Sequence, residues 1–167
     1  MHRVRDLQTS PDMQPLQPNE VRAPQLNHST CPTILVVDDD PLMISIISRI
    51  LRGHHLYTAE SIEEALEVLR NAPIDVVISD CHMPGGNGIT FLETVRRSHP
   101  GVRRVLMSGD PLLSIKDLMR SGVVHQFVSK PVQLRDLLEI VLETTRAKES
   151  ADRPRRIHRG WEMDRRP

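Results

Sequence analysis

The run Asp75-Val76-Val77-Ile78-Ser79-Asp80-Cys81-His82-Met83-Pro84-Gly85-Gly86-Asn87-Gly88 decides how this 167-residue chain is read. Its apolar half is short and β-branched, the composition of a strand covered on both faces in a parallel sheet. Met-Pro and the glycines then stop the strand and open a loop. Asp80 therefore stands at the carboxyl end of a buried parallel strand, where open α/β sheets bind ligands.

Upstream, Ile34 to Val37 forms a first strand that runs into Asp38-Asp39-Asp40. Asp40 can cap the next helix and Pro41 suits its first position, where a missing N–H costs nothing. Leu42, Met43, Ile46, Ile47, Ile50 and Leu51 then make one apolar face, and Gly53 stops the helix. His55 to Thr58 reads as a short, weak second strand. Ser61-Ile62-Glu63-Glu64 is a capping box, followed by Ala65, Leu66 and Leu69 at helical spacing.

Downstream, the spacing predicts a third helix from about Gly88 to Ser98 with Phe91, Leu92 and Val95 inward. Val102 to Met107 is the fourth strand and ends at Ser108-Gly109. Asp110-Pro111 repeats the cap-plus-proline start, and Leu112, Ile115, Leu118 and Met119 are expected to face the sheet. Gly122 closes that helix, and Val124 to Val128 is the fifth strand, leading to Ser129-Lys130-Pro131. A last helix over about 133–147 is expected to bury Leu134, Leu137, Leu138 and Val141. Alternating strands and helices with short loops imply right-handed crossovers and a parallel sheet covered on both faces. The reading is a doubly wound α/β sandwich over residues 32–147, between tails (1–31 and 148–167) expected to lack regular structure.

Charge and composition exclude several functions. The formal net charge is zero, with 12 basic and 15 acidic side chains over residues 32–146. A slightly acidic core argues against a nucleic-acid grip. Two cysteines, Cys31 and Cys81, are too few and too unpatterned for a disulfide framework or a zinc site, which fits a cytoplasmic protein. No run approaches membrane-spanning length, and the first 32 residues hold no apolar signal core.

The strand ends should bring Asp38, Asp39 and Asp40 together with Asp80, Ser108 and Lys130. Clustered carboxylates repel unless a cation joins them, and hard oxygen ligands with room for water suit Mg²⁺. A lysine and a hydroxyl opposite a metal can hold a phosphoryl group in transfer, and a carboxylate between them can be its nucleophile. Of the three acidic residues, Asp40 reads as a helix N-cap only and Asp38 and Asp39 as the functional pair; Phe127 fits core packing as well as it fits a switch, and Cys81-His82 lacks the second pair that a metal site needs.

With these residues on the page, the chain resembles the receiver domain of bacterial two-component response regulators, in the stand-alone, chemotaxis-type arrangement. Ile34 to Asp40, Ile78 to Gly88, Met107-Ser108-Gly109 and Phe127 to Pro131 carry the resemblance, in order and at suitable spacing. It implies a flavodoxin-like five-stranded sheet in the order 2-1-3-4-5 with five helices, and a cis Lys130-Pro131 bond. It implies that Asp80 accepts a phosphoryl group from a sensor histidine kinase or phosphotransfer protein. Asp39, Asp80 and the backbone carbonyl of His82 would bind Mg²⁺, with Asp38 helping through water. Ser108 and Lys130 would hold the phosphate, Phe127 would be the switch aromatic, and His82 and Asp110 would tune dephosphorylation. Output would pass to a downstream protein or to a second copy through the fourth helix, fifth strand and fifth helix. The rival enzyme reading is an aspartate-nucleophile phosphohydrolase of the haloacid dehalogenase type with Asp38 as nucleophile, which leaves Asp80 idle. A third reading is a pseudo-receiver that binds partners without taking phosphate.

Overall fold

The protein, seen here as a computed structural model, is described over residues 31–152; the expectations for the tails fall outside these residues, apart from Cys31 and the stretch 148–152. The elements are β1 (Thr33–Val37), α1 (Pro41–Ile50), β2 (His55–Ala59), α2 (Ile62–Asn71), β3 (Val76–Asp80), β4 (His82–Met83), β5 (Gly86–Asn87), α3 (Gly88–Ser98), β6 (Arg103–Ser108), α4 (Ile115–Arg120), β7 (Gln126–Ser129) and α5 (Leu134–Asp152). Five strands form one parallel sheet in the order β2-β1-β3-β6-β7. This is the 2-1-3-4-5 arrangement of a doubly wound sheet, with β6 and β7 as its fourth and fifth members.

Every residue of β3 is buried, and alternate side chains feed opposite layers. Val77 and Cys81 join Leu35, Val37, Phe91, Leu92 and Leu106 on the α2–α3 side. Val76 and Ile78 join Ile34, Val36, Ile47, Met107, Leu137 and Ile140 on the α1–α5 side. Two dry faces explain why the strand needs a continuous apolar run rather than alternation. The helix starts are local: Asp40 accepts from Leu42 N–H at 2.9 Å, and Ser61 accepts from Glu64 N–H at 3.2 Å.

Several expectations need correction. Asp110-Pro111 does not begin α4. The Asp110 carboxylate accepts from Leu112 N–H at 2.8 Å, closing a turn, and the helix starts only at Ile115, without a side-chain cap. Leu112 consequently stands 91% exposed and Met119 is exposed as well; Leu118 packs on the core as expected, joined by Leu113. On α1, Leu42 and Ile46 face solvent, leaving Ile47 and Leu51 as its fully buried pair. On α5, Leu134 and Leu138 are exposed, and Ile140, not singled out by the sequence, is buried beside Leu137 and Val141. A hairpin of two-residue strands, β4 and β5, occupies the stretch read as loop, and α5 runs on to Asp152.

Candidate functional site

Strands β1, β3 and β7 end at one level because their registers are parallel and nearly unstaggered, so the residues just past them converge. Lys130 Nζ lies 3.0 Å from Asp38 Oδ2 and 2.7 Å from Asp80 Oδ1. Both carboxylates are nearly sealed from solvent, Asp38 at 1% exposure and Asp80 at 6%. Their second oxygens are engaged by backbone: Asp38 Oδ1 accepts from Asp40 N–H at 3.0 Å, and Asp80 Oδ2 from His82 N–H at 3.1 Å. One ammonium thus serves two buried carboxylates, which leaves the pocket with a surplus negative charge.

The electrostatics follow from that imbalance. Burial pushes the Asp38 carboxyl above its ordinary value, although the Asp40 N–H and the Lys130 ammonium pull the other way. Burial alone would lower Lys130, but its hydrogen bonds and ion pairs with Asp80 and Asp38 outweigh that and hold it raised. An ionised Asp38 therefore costs the fold stability. That cost is absent below the ordinary aspartate range near ~4 and fully present once pH exceeds the raised folded value, so it develops as pH rises. Asp38→Asn, which keeps the shape without the charge, is expected to raise the urea midpoint at neutral pH. An Asp38→Asn midpoint below that of the unaltered chain would contradict this account.

The other predicted residues take distinct places. Asp39 and Asp40 are exposed at the rim, the latter as the α1 cap. Ser108, 2% exposed, ends β6, its hydroxyl accepting from Asp110 N–H at 3.1 Å while its carbonyl accepts from Lys130 N–H at 2.9 Å. The buried Cys81 thiol lies beside the Ser108 hydroxyl, and burial pushes it up so that it stays protonated. Phe127 is half-buried against the α2–α3 layer, and His82 is exposed on β4. The Lys130-Pro131 bond is cis.

Gly88 is the residue that sequence reasoning overlooked. A Cβ built there would lie 1.9 Å from the Asp80 carbonyl oxygen and 3.1 Å from Cys81 Cα. The first residue of α3 thus presses directly on the backbone of Asp80, and its N–H donates to the Cys81 carbonyl at 2.9 Å. The glycine after the Met-Pro-Gly loop was the available signal, since close backbone approach is a use of glycine that side chains forbid.

No three His, Cys, Asp or Glu side chains among the described residues form a ready-made metal cage. The donor chemistry nevertheless suits Mg²⁺. Asp80, the rim carboxylate Asp39 and the His82 carbonyl are hard oxygen donors, and such a site leaves coordination positions to water. The negative surplus around Lys130 is what a divalent ion would offset.

Comparison with known proteins places this geometry. The profile of the response regulator receiver domain matches residues 34–142. The chain is 31% identical over 118 residues to the hydrogenase transcriptional regulatory protein HoxA of Cupriavidus necator, covering 69% of this chain and 24% of that protein. It is 33% identical over 111 residues to the response regulator protein FleR of Pseudomonas aeruginosa, covering 65% of this chain and 23% of that one. The chain thus spans about a quarter of the length of these two relatives. Among solved structures, the receiver domain of an HD domain-containing protein from Pseudomonas fluorescens superposes with a TM-score of 0.66 at 28% identity, covering 73% of this chain and 92% of that one. A CheY-like receiver domain protein from Methanospirillum hungatei gives 0.66 at 26%, covering 72% and 98%.

Proposed function

Because this chain belongs to the response regulator receiver family, a signalling family, we propose that it takes a phosphoryl group onto Asp80 from the phosphohistidine of a sensor kinase or phosphotransfer protein. The carrying observation is the pair of buried carboxylates, Asp38 and Asp80, gathered around the single ammonium of Lys130 at the strand ends. An Asp80 oxygen would attack phosphorus, the P–N bond to imidazole would break, and the imidazole would leave with a proton. The product is an acyl phosphate on Asp80. Mg²⁺, held by Asp39, Asp80 and the His82 carbonyl with Asp38 acting through water, would neutralise charge on the phosphoryl oxygens.

The chain's own groups supply the rest. Lys130 already touches Asp80 and needs only to follow the incoming oxygens. Ser108, at the end of the neighbouring strand β6, would exchange its present contacts for a phosphoryl oxygen. Adding about two negative charges at Asp80 favours the arrangement in which both close in. Phe127, which packs on the same α2–α3 layer as Leu113 and Leu118, would follow Ser108 and carry the change to the α4–β7–α5 face. There a downstream protein or a second copy would read it. His82 on β4 and Asp110 after Ser108 flank the site and would set how readily water removes the phosphate. No helix among the described residues is long and apolar enough to cross a membrane, and we place the reaction in the cytoplasm.

Acetyl phosphate with Mg²⁺ tests the reading without a partner. One equivalent of acid- and base-labile phosphate per chain is expected, and it should not form when Mg²⁺ is chelated. A folded protein that never takes label would make the chain a pseudo-receiver.

A further inference from the structure

At the opposite end of the sheet from the acidic pocket, two arginines converge on the turn between α4 and β7. Arg104 of β6 is 3% exposed, and its guanidinium pairs with no carboxylate among the described residues. Its guanidinium donates to the carbonyls of Val102 at 2.7 Å, Val123 at 2.9 Å and Gly122 at 3.1 Å. Arg96 of α3 donates to the carbonyl of Ser121 at 3.1 Å. Three successive carbonyls at the end of α4 are thus held by cations from two other elements. Hydrogen bonds from a charged donor are stronger than neutral ones. The other end of α4 has no such hold: Ser114 provides no side-chain cap, and Leu112 projects into solvent.

His125 completes the arrangement. Its Nδ1 faces the Arg104 backbone N–H at 3.0 Å, and its Nε2 faces the Arg104 guanidinium at 3.0 Å. Both ring nitrogens therefore look at donors. A neutral imidazole has one lone pair to offer them; an imidazolium has none and sets an N–H against each. The surroundings of the ring add to this. Arg103 and Arg104 come from β6, Asp75 from the approach to β3, and Lys148 from α5, all but Arg104 lining one cleft of about 340 Å³ with His125. Asp75 is paired with Lys148, and Arg103 is paired with Glu143 of α5, so neither acid is left to favour a charged ring. Although much of the His125 residue is exposed, partial desolvation of its ring, then Arg104 and Arg103, push it below its ordinary value.

We propose that Arg96, Arg104 and His125 form a lock that fixes the carboxyl end of α4, so that α4 swings about that end, and that proton uptake by His125 opens the lock. The unfolded or opened chain binds the proton first, near ~6.5, and the locked form only at lower pH. The lock is therefore whole above that window and is lost as pH falls through it. This sets a proton-sensitive pivot under the α4–β7–α5 face, independent of phosphoryl chemistry at Asp80.

Amide exchange in the unphosphorylated full chain tests it, followed by NMR between about pH 7.5 and about pH 5 and corrected for intrinsic exchange. The amides of Gly122, Val124 and His125 are expected to lose on the order of tenfold protection as the His125 ring titrates, while β3 amides hold. His125→Gln, which retains an acceptor but does not titrate, should remove the pH dependence. Arg96→Gln should loosen the turn at every pH, and being a part-exposed site it should leave folding intact; Arg104→Gln should loosen it further. Constant protection across the titration overturns the proton-sensitive part, as does the same loss in His125→Gln. Unchanged protection in Arg96→Gln overturns the arginine hold.

Discussion

Asp80→Asn is expected to abolish phosphate incorporation from acetyl phosphate and Mg²⁺, with no residual acid- and base-labile label. The loss should be complete because a carboxamide lacks the anionic oxygen that forms the acyl phosphate. The variant should remain folded, since Lys130 keeps Asp38 as a partner at 3.0 Å and the amide retains an oxygen for the His82 N–H. Asp38→Asn should still incorporate label, more slowly, because Asp38 contributes charge to the pocket and not the reacting oxygen. Mass spectrometry of borohydride-trapped protein locates the phosphate directly. Label that survives in Asp80→Asn and vanishes in Asp38→Asn would transfer the nucleophile to Asp38 and restore the phosphohydrolase reading.

The second large effect is expected at Gly88, where no chemistry occurs. Alanine there must move either the Asp80 carbonyl or the start of α3, because 1.9 Å from a backbone oxygen is far inside contact distance. Overpacking of this kind costs about 1–3 kcal/mol in well-packed interiors, and a backbone neighbour that cannot rotate aside puts Gly88→Ala at the upper end. Urea unfolding should show the midpoint falling accordingly. Labelling of Asp80 should slow beyond what the unfolded fraction explains, since the displaced backbone carries the nucleophile. Gly86→Ala is the control: its Cβ would meet only the tip of the Ile62 side chain, which can turn aside. A Gly88→Ala protein with unaltered midpoint and labelling rate would show that α3 yields freely, against the packing seen here.

What the sequence made legible divides by the range of the forces involved. The β3 run could be read because burial on both faces demands an unbroken apolar composition, which β1 shares from Ile34 to Val37. The meeting of Asp38, Asp80 and Lys130 followed, since parallel strands deliver their carboxyl ends to one edge. Helix starts set by a single side chain, at Asp40 and Ser61, were equally plain. Asp110-Pro111 carries the same local signal and yet closes only a turn, because the three residues after it pack as Leu113 inward and Leu112 outward before helical bonding begins at Ile115. Which of several apolar residues on α5 faces the sheet was not decidable from spacing, because Leu134, Leu137, Leu138, Ile140, Val141 and Leu142 together cover more than half of the helix circumference. The burial of Arg104 was invisible for another reason. Its partners are backbone carbonyls of a turn, and carbonyls are present at every position of every sequence.

The two thiols differ sharply in what a reagent can reach. Cys31 is half-exposed at the edge of the described chain, its sulfur 3.2 Å from His54 Nδ1. Cys81 is sealed next to Asp80, bonded through its own N–H to the Met107 carbonyl, and burial favours its unreactive protonated form. An alkylating agent should therefore consume one cysteine quickly and wait for the other until β3 parts from β6. The slow phase would be a clock, already wired into the chain, for how often the strand that ends in Asp80 breathes.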